Sequence, residues 1–135
     1  EEGRMYAGRE RPTGGFELFA WFFMRISGVV LILLVLGHLA IMHVINTVDE
    51  IDFEFVAARW ASPFWRTYDL VMLWLALLHG LNGLRTVIDD YVHRKGWRVV
   101  ALTAMAVIGF ILLAMGTQII FTFEASASRV AAGLP

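Results

Sequence analysis

Three long apolar segments constrain this chain more than any other feature. They run from about Phe16 to Val48, from Tyr68 to Val92 and from Val99 to Phe123. Each exceeds the roughly 20 residues that a helix needs to cross the hydrocarbon core of a bilayer. Because no water reaches that core, the backbone polar groups must pair within each segment, which favours helices. The sequence therefore predicts an all-α membrane protein with three transmembrane helices.

The composition narrows the chemistry that the chain can carry. Hydrophobic residues make up 59% of it and charged residues 17%, against about a half and a quarter in soluble domains. The absence of cysteine excludes disulfides, thiolate catalysis and a cluster of iron and sulfur held by this chain. A net charge of −1 gives no reason to expect nucleic acid as a partner. Any chemistry must therefore use histidine, carboxylate, tyrosine or a bound cofactor.

The charges beside the spans predict the orientation of the chain. The N-terminal tail and the loop after the second span are basic, whereas the loop after the first span is acidic; the basic residues are Arg4, Arg9, Arg11, Arg94, Lys95 and Arg98. The positive-inside rule then places the N-terminus in the cytoplasm. In the outer loop, apolar residues at helical spacing between Ile51 and Trp65 predict a short amphipathic helix, closed by Ser62-Pro63.

These features divide the chain into three parts. We expect a cytoplasmic N-terminal tail (1–15), a membrane-anchor domain with three spans (16–123) and an outer C-terminal tail (124–135). The C-terminal tail is small and weakly patterned, so we expect it to be disordered or to include residues foreign to the native protein.

The second span carries the most informative polar residues. Asp90 follows His79 by eleven residues, which is three helical turns plus about 20°, so both side chains leave nearly the same face, roughly 16 Å apart. Tyr91 adds a phenol beside that acid. A buried imidazole in line with an acid–phenol pair at the membrane edge suits a haem ligand and a quinone site. The alternatives are a histidine bonded to a neighbouring helix and an interfacial tyrosine beside a solvated aspartate.

The first span carries two further candidates. Arg25 and Ser27 lie near its inner end, where an arginine needs an anion, a carbonyl or water. A haem propionate or a quinone oxygen would suit the guanidinium of Arg25, and so would lipid phosphates. His38 is deeper and could ligate a second, outer haem, although packing is the favoured interpretation. In the second span, Arg85 could pair with Asp89 at i+4 or reach a propionate.

The pattern of residues in the second span resembles that of a known family. His79 is followed four residues later by Gly83, and eleven and twelve residues later by Asp90 and Tyr91. This pattern is similar to that of the hydrophobic membrane-anchor subunits of succinate dehydrogenase (complex II, succinate:quinone oxidoreductase). The resemblance implies that the histidine ligates the iron of haem b and that the Asp-Tyr pair lines the quinone site.

A second motif resembles the companion anchor subunit of the same complex. The segment from Arg25 to Gly28 reads Arg-Ile-Ser-Gly. It is similar to an Arg-x-Ser-Gly motif whose basic and hydroxyl residues approach the quinone and the haem, which implies quinone contacts for Arg25 and Ser27. In that subunit a histidine usually precedes the arginine, and here Met24 takes its place. His38 has a counterpart in members with two haems. Frequent Trp, Phe and Arg suggest the actinobacterial branch.

The resemblance implies one subunit of a larger enzyme that is not catalytic alone. This chain would dock the flavoprotein and iron–sulfur subunits, pair with a second membrane-anchor subunit among membrane lipids, and share haem b and a site for menaquinone or ubiquinone. Its location would be the cell inner (plasma) membrane, as a multi-pass protein. The alternatives are an unrelated membrane b-type cytochrome and a structural or assembly protein without a cofactor.

Overall fold

The structure, a computed structural model, describes residues 14–123. Helix α1 runs from Gly15 to Ala40 and continues into a π-helical turn at Ile41–Ile45. A 3₁₀ turn at Val48–Glu50 precedes the short helix α2, Phe53–Ala61. Helix α3 spans Pro63–Tyr91 and helix α4 spans Lys95–Thr122. The predicted tails, 1–15 and 124–135, lie outside the described residues except for 14 and 15, so the predictions made for them stay predictions.

Within the described residues, three helices are long and apolar enough to cross a membrane. They are Gly15–Ile45, Pro63–Tyr91 and Lys95–Thr122, with 31, 29 and 28 residues, and residues 14–123 contain no strand. The prediction of an all-α protein with three spans is confirmed. Helix α3, the second spanning helix, starts at Pro63 and not at Tyr68, where the sequence placed the start of the second span. Proline is favoured in the first helical turn, where its missing N–H is not needed.

Helix α3 is central and packs against both α1 and α4. The α3–α4 contact relies on glycine: a Cβ atom added to Gly109 would lie 2.5 Å from Leu81, and one added to Gly116 would lie 2.7 Å from Leu73. Small residues at such positions let two backbones approach closely, which is how membrane helices gain packing energy.

Side-chain hydrogen bonds cap the helix in the loop between α1 and α3 and tie that loop to α3. Asp52 accepts a hydrogen bond from the Phe55 N–H and so caps α2. Arg66, in the first turn of α3, donates to the carbonyl oxygens of Trp60, Phe121 and Phe123, the last two at the end of α4. The helix predicted for this loop is therefore α2, and the side of the membrane on which it lies stays a prediction.

Much of the helical surface is apolar and exposed. Leu33 on α1 is 70% exposed and Phe110 on α4 is 72% exposed. Side chains of this kind are stable on a membrane protein only against lipid or another apolar helix. The three helices thus leave room for lipid and for further subunits around them. The bundle of three helices has two ends: the Tyr91 end, which includes the start of α1, and the α2 end, which includes the short helix α2.

Candidate functional site

His79 lies half-buried at the interface of α3 with α1. Its Nδ1 atom is 2.8 Å from the hydroxyl oxygen of Ser27, a residue that is only 2% exposed. The neighbouring Gly28 faces the same edge of the ring, where a Cβ atom would lie 3.4 Å from Cε1 of the imidazole. One edge of the ring therefore rests on the Ser27-Gly28 segment of α1.

The hydrogen bonds of Ser27 determine the tautomer of this histidine. The Ser27 hydroxyl also lies 2.5 Å from the carbonyl oxygen of Phe23, one turn earlier in α1. A carbonyl can only accept, so the single hydroxyl proton goes to Phe23 and the hydroxyl oxygen accepts from Nδ1–H of His79. A neutral imidazole that carries its proton on Nδ1 has a free lone pair on Nε2. That lone pair can bind a metal ion.

The two glycines after His79 differ in their surroundings. A Cβ atom on Gly83 would meet the end of Met24 at 3.6 Å, whereas one on Gly80 would meet nothing within 4 Å. The notch at Gly83 is therefore filled by α1, and the space beside Gly80 is open. On the flank of α1, Ser27 also borders an apolar depression of about 260 Å³. Its other lining residues are Phe19, Phe22, Phe23, Ile26, Val30 and Leu75.

The acid–phenol pair lies at the end of α3, away from the His79–Ser27 contact. Asp90 and Tyr91 are both exposed, Tyr91 to 79%. Because α3 is unbroken from Pro63 to Tyr91, the eleven-residue step keeps Asp90 within about 20° of His79 around the helix, roughly 16 Å further along its axis. The phenol can therefore meet a ligand at the Tyr91 end only.

Of the two candidates on α1, it is Ser27 that meets His79. The Arg25 side chain is exposed, its guanidinium lies 3.5 Å from the centre of the Trp21 ring, and it donates to the Trp21 carbonyl oxygen. Two residues along a helix turn the side chain by about 200°, so Arg25 and Ser27 occupy opposite faces of α1. Arg25 is available to an anion on the outer surface of that helix.

Arg85 forms a pair that the sequence did not indicate. The sequence left Asp89 or a propionate as its partner, whereas both terminal nitrogens donate to Glu17, each at 2.9 Å. Glu17 lies in the first turn of α1 and offers two oxygens to the planar guanidinium, which is the strong bidentate geometry. The two residues are 68 positions apart, so only the packing of α1 on α3 reveals the pair.

A second polar cluster lies at the α2 end and was missed by sequence reasoning. Asp69 is 8% exposed and accepts from Arg59 Nε and Nη2 at 3.3 and 3.1 Å and from Trp60 Nε1 at 2.7 Å. The signal was an ionisable residue inside a span, but it was hidden because the span was expected to begin at Tyr68.

His38 belongs to this second cluster. Its Nδ1 atom lies 3.5 Å from Oδ1 of Asp69, beside an apolar cleft of about 520 Å³ that is bounded by α1, α3 and α4. Ser27 and His38 are eleven residues apart on α1, which is roughly 16 Å along the helix axis. His38 and His79 therefore cannot bind the same metal ion. Within residues 14–123, no three His, Cys, Asp or Glu side chains converge on a metal site.

Comparison with known proteins identifies relatives of this chain. Residues 9–128 match the family model described as succinate dehydrogenase/fumarate reductase transmembrane subunit. A succinate dehydrogenase hydrophobic membrane anchor subunit from Archaeoglobus fulgidus is 30% identical over 106 residues, which cover 76% of this chain and 86% of the relative. This relative is archaeal, so the actinobacterial origin stays a prediction.

Proposed function

This chain belongs to the succinate dehydrogenase/fumarate reductase transmembrane subunit family, and from that premise we propose how it works as a membrane anchor. In the proposal, Nε2 of His79 would hold the iron of haem b, and Tyr91 with Asp90 would line part of the quinone site. The chain docks the flavoprotein and iron–sulfur subunits and stands beside a second anchor subunit. Its membrane would be the cell inner membrane.

One observation carries the haem assignment: the hydrogen bond between His79 Nδ1 and Ser27. Histidines that ligate metals almost always donate their other ring N–H to a fixed acceptor. The Ser27 hydroxyl, 2.8 Å away and itself bonded to Phe23, is such an acceptor. A haem needs a single histidine from this chain, so the absence of a three-residue metal cluster among the described residues does not argue against it. When bound, haem b would supply a centre that takes up and releases one electron.

The second axial ligand would come from the companion anchor. His38 is too far along α1 to reach the same iron, by roughly 16 Å. Three helices with faces as exposed as Leu33 and Phe110 enclose a large cofactor poorly. A second anchor subunit packed on these apolar faces would close the site and shield it from lipid.

Quinone binding is proposed for the Tyr91 end. The exposed Tyr91 hydroxyl can donate a hydrogen bond to a quinone carbonyl oxygen, and the Asp90 carboxylate can exchange protons with water. Arg25 stays a proposed quinone contact, and it would reach a quinone from the face of α1 opposite Ser27. Ser27, which the sequence grouped with the quinone site, serves His79 in this proposal because its hydroxyl proton is already donated to Phe23 and the residue is buried.

Docking is proposed for the same end. Arg94 and Lys95 are exposed at the start of α4, three and four residues after Tyr91. Their charge suits an acidic surface of the iron–sulfur subunit or anionic lipid headgroups on the cytoplasmic side. Electrons leaving that subunit would then arrive at the end of the anchor that holds Tyr91.

The haem content of the intact complex tests this function. We expect His79→Ala to lose haem, measured as pyridine haemochrome per complex, while the soluble subunits still oxidise succinate with an artificial acceptor. His43→Ala is the matched control, because His43 is exposed at the far end of α1. Subunit ratios from mass spectrometry show that each variant is assembled. Equal haem in His79→Ala and the wild type would overturn the haem assignment, and a haem-free wild type would leave a structural anchor.

A further inference from the structure

The contact between Ser27 and His79 has consequences beyond the choice of ligand. We propose that Ser27 is a positioning residue that fixes the tautomer and the ring orientation of His79 and thereby lowers the reduction potential of the haem. This inference rests on the proposed function, because it concerns the same histidine. It assigns to α1, a helix with no ligand of that iron, control over the electronic properties of the site.

The hydrogen-bond chain has only one consistent direction. If the hydroxyl donated to Nδ1, its oxygen would face the Phe23 carbonyl oxygen at 2.5 Å with no proton between them, which is repulsive. With the proton on the Phe23 side, both contacts of the hydroxyl are satisfied: Phe23 accepts, and Nδ1–H of His79 donates. Only the Nδ1–H tautomer fits, and it is the one that leaves Nε2 free.

Ser27 is prepared for this role before α3 packs against it. A serine that bonds the carbonyl four residues earlier uses only its own helix, so α1 alone orients the hydroxyl. At 2% exposure no water competes for the oxygen, and a hydrogen bond in such surroundings is stronger than in water. The Ser27 bond is therefore the interaction in the described residues that fixes the orientation of the imidazole.

The acceptor on Nδ1–H affects what Nε2 donates. A hydrogen bond from the far nitrogen raises the basicity of a ligating imidazole, and partners of this kind typically change metal affinity by about 10- to 100-fold. A more basic ligand favours ferric over ferrous iron, so the Ser27 bond lowers the potential. Without it, the buried Nδ1–H has no acceptor and the ring is free to turn.

The test is a redox titration of the haem in the purified, intact complex, with electron paramagnetic resonance of the ferric form. We expect Ser27→Ala to raise the midpoint potential of the haem by about 59 mV. For one electron, this shift corresponds to a tenfold change in the ratio of the affinities of the site for ferric and ferrous iron. Its ferric signal should broaden as the ring orientation becomes variable. Ser27→Thr keeps the hydroxyl and the bond to Phe23, so it should restore both values.

Thr86→Ala is the matched control. Thr86 makes the same type of bond, to the carbonyl oxygen of Asn82 four residues earlier on α3, so its loss removes a hydroxyl without removing an acceptor of His79. We expect the wild-type potential and signal in this variant. If Ser27→Ala fails to assemble, Ser27→Cys substitutes a weaker acceptor of similar size and should give an intermediate potential.

The outcomes separate the two proposals. If the wild-type complex contains haem and Ser27→Ala has the same haem potential and ferric signal, the role of Ser27 is overturned and the ligand assignment stays intact. Where only Ser27→Cys assembles, the same result in that variant has the same meaning. An equal shift in Thr86→Ala overturns it as well, because the effect would then be general loosening. A wild-type complex without haem overturns the proposed function itself.

Discussion

Asp69 in the first third of α3 and Arg59 in α2 form a buried ion pair, with Arg59 Nη2 3.1 Å from Oδ1 and side chains that are 10% and 7% exposed. Trp60 donates a further hydrogen bond to the same carboxylate, and the Arg59 guanidinium lies 4.2 Å from the centre of the Trp65 ring. The short helix α2 is therefore fastened to α3 by a charge pair that water does not reach.

We predict that breaking this pair from one side is strongly destabilising. Arg59→Gln leaves the Asp69 carboxylate buried without its counter-charge, which should cost about 3–5 kcal/mol of unfolding free energy. The double change Arg59→Met with Asp69→Leu should recover most of that loss, because an apolar pair needs no desolvation. Thermal unfolding in detergent measures both. Asp49→Asn, at an exposed acid in the same loop, is the control; equal losses in the single and double variants would contradict the ion-pair explanation.

Loss of the Tyr91 hydroxyl should impair quinone reduction and leave haem in place. Tyr91→Phe keeps the ring and removes one hydrogen bond of about 1.4 kcal/mol, so turnover with quinone should fall about tenfold. Tyr68→Phe removes a hydroxyl from the same helix, where it donates to the Leu34 carbonyl oxygen, and should lower stability with little effect on turnover. Normal quinone turnover in Tyr91→Phe would move the quinone site elsewhere.

His38 should not hold a second haem. The Asp69 carboxylate that its Nδ1 faces at 3.5 Å already accepts from Arg59 and Trp60. Because Nδ1 makes no hydrogen bond within the described residues, His38 lacks the fixed acceptor that His79 has, and we expect one haem per complex. Replacement by glutamine, which keeps a polar side chain, should leave that ratio unchanged. Haem quantification against complex concentration measures it. A ratio near two that falls to one in His38→Gln would assign the outer haem to this residue.

The glycine contacts between α3 and α4 should be sensitive to a single methyl group. In Gly109→Ala the new Cβ would meet three side-chain atoms of Leu81 within 3.2 Å, so Leu81 must leave its present packing position, and we expect a loss of about 1–3 kcal/mol. Adding Leu81→Ala should restore much of it by making room. Gly96→Ala, where a Cβ meets nothing within 4 Å, is the control. No difference between Gly109→Ala and Gly96→Ala in thermal unfolding would contradict the close packing.

Local patterns in the sequence predicted most of the fold. Three apolar runs were enough for the three helices, since span length and backbone pairing follow from the hydrocarbon core alone. The stretch from Ile51 to Trp65 indicated a helix closed at Ser62-Pro63, and α2 ends directly before Ser62. The start of α3 was placed too late, at Tyr68, because Ser62-Pro63 was interpreted only as the end of the loop helix, whereas Pro63 begins α3.

The relations between helices could not be predicted in the same way. His79 was singled out from its depth and its glycines, but the partner on Nδ1 depends on the register of α1 against α3, which no local pattern contains. The same holds for Glu17 and Arg85. The burial of Asp69 was missed for a different reason. An acid one residue after the predicted start of a span, at Tyr68, is expected to be solvated, whereas α3 starts at Pro63 and so places Asp69 inside the helix.

A structure of the intact complex tests the central claim most directly, through the distance from Nε2 of His79 to the haem iron. We expect iron within bonding distance of that nitrogen, with Nδ1 still bonded to Ser27 and the second ligand supplied by the companion anchor. A haem held entirely by other residues, with His79 touching only lipid or neighbouring side chains, would contradict it.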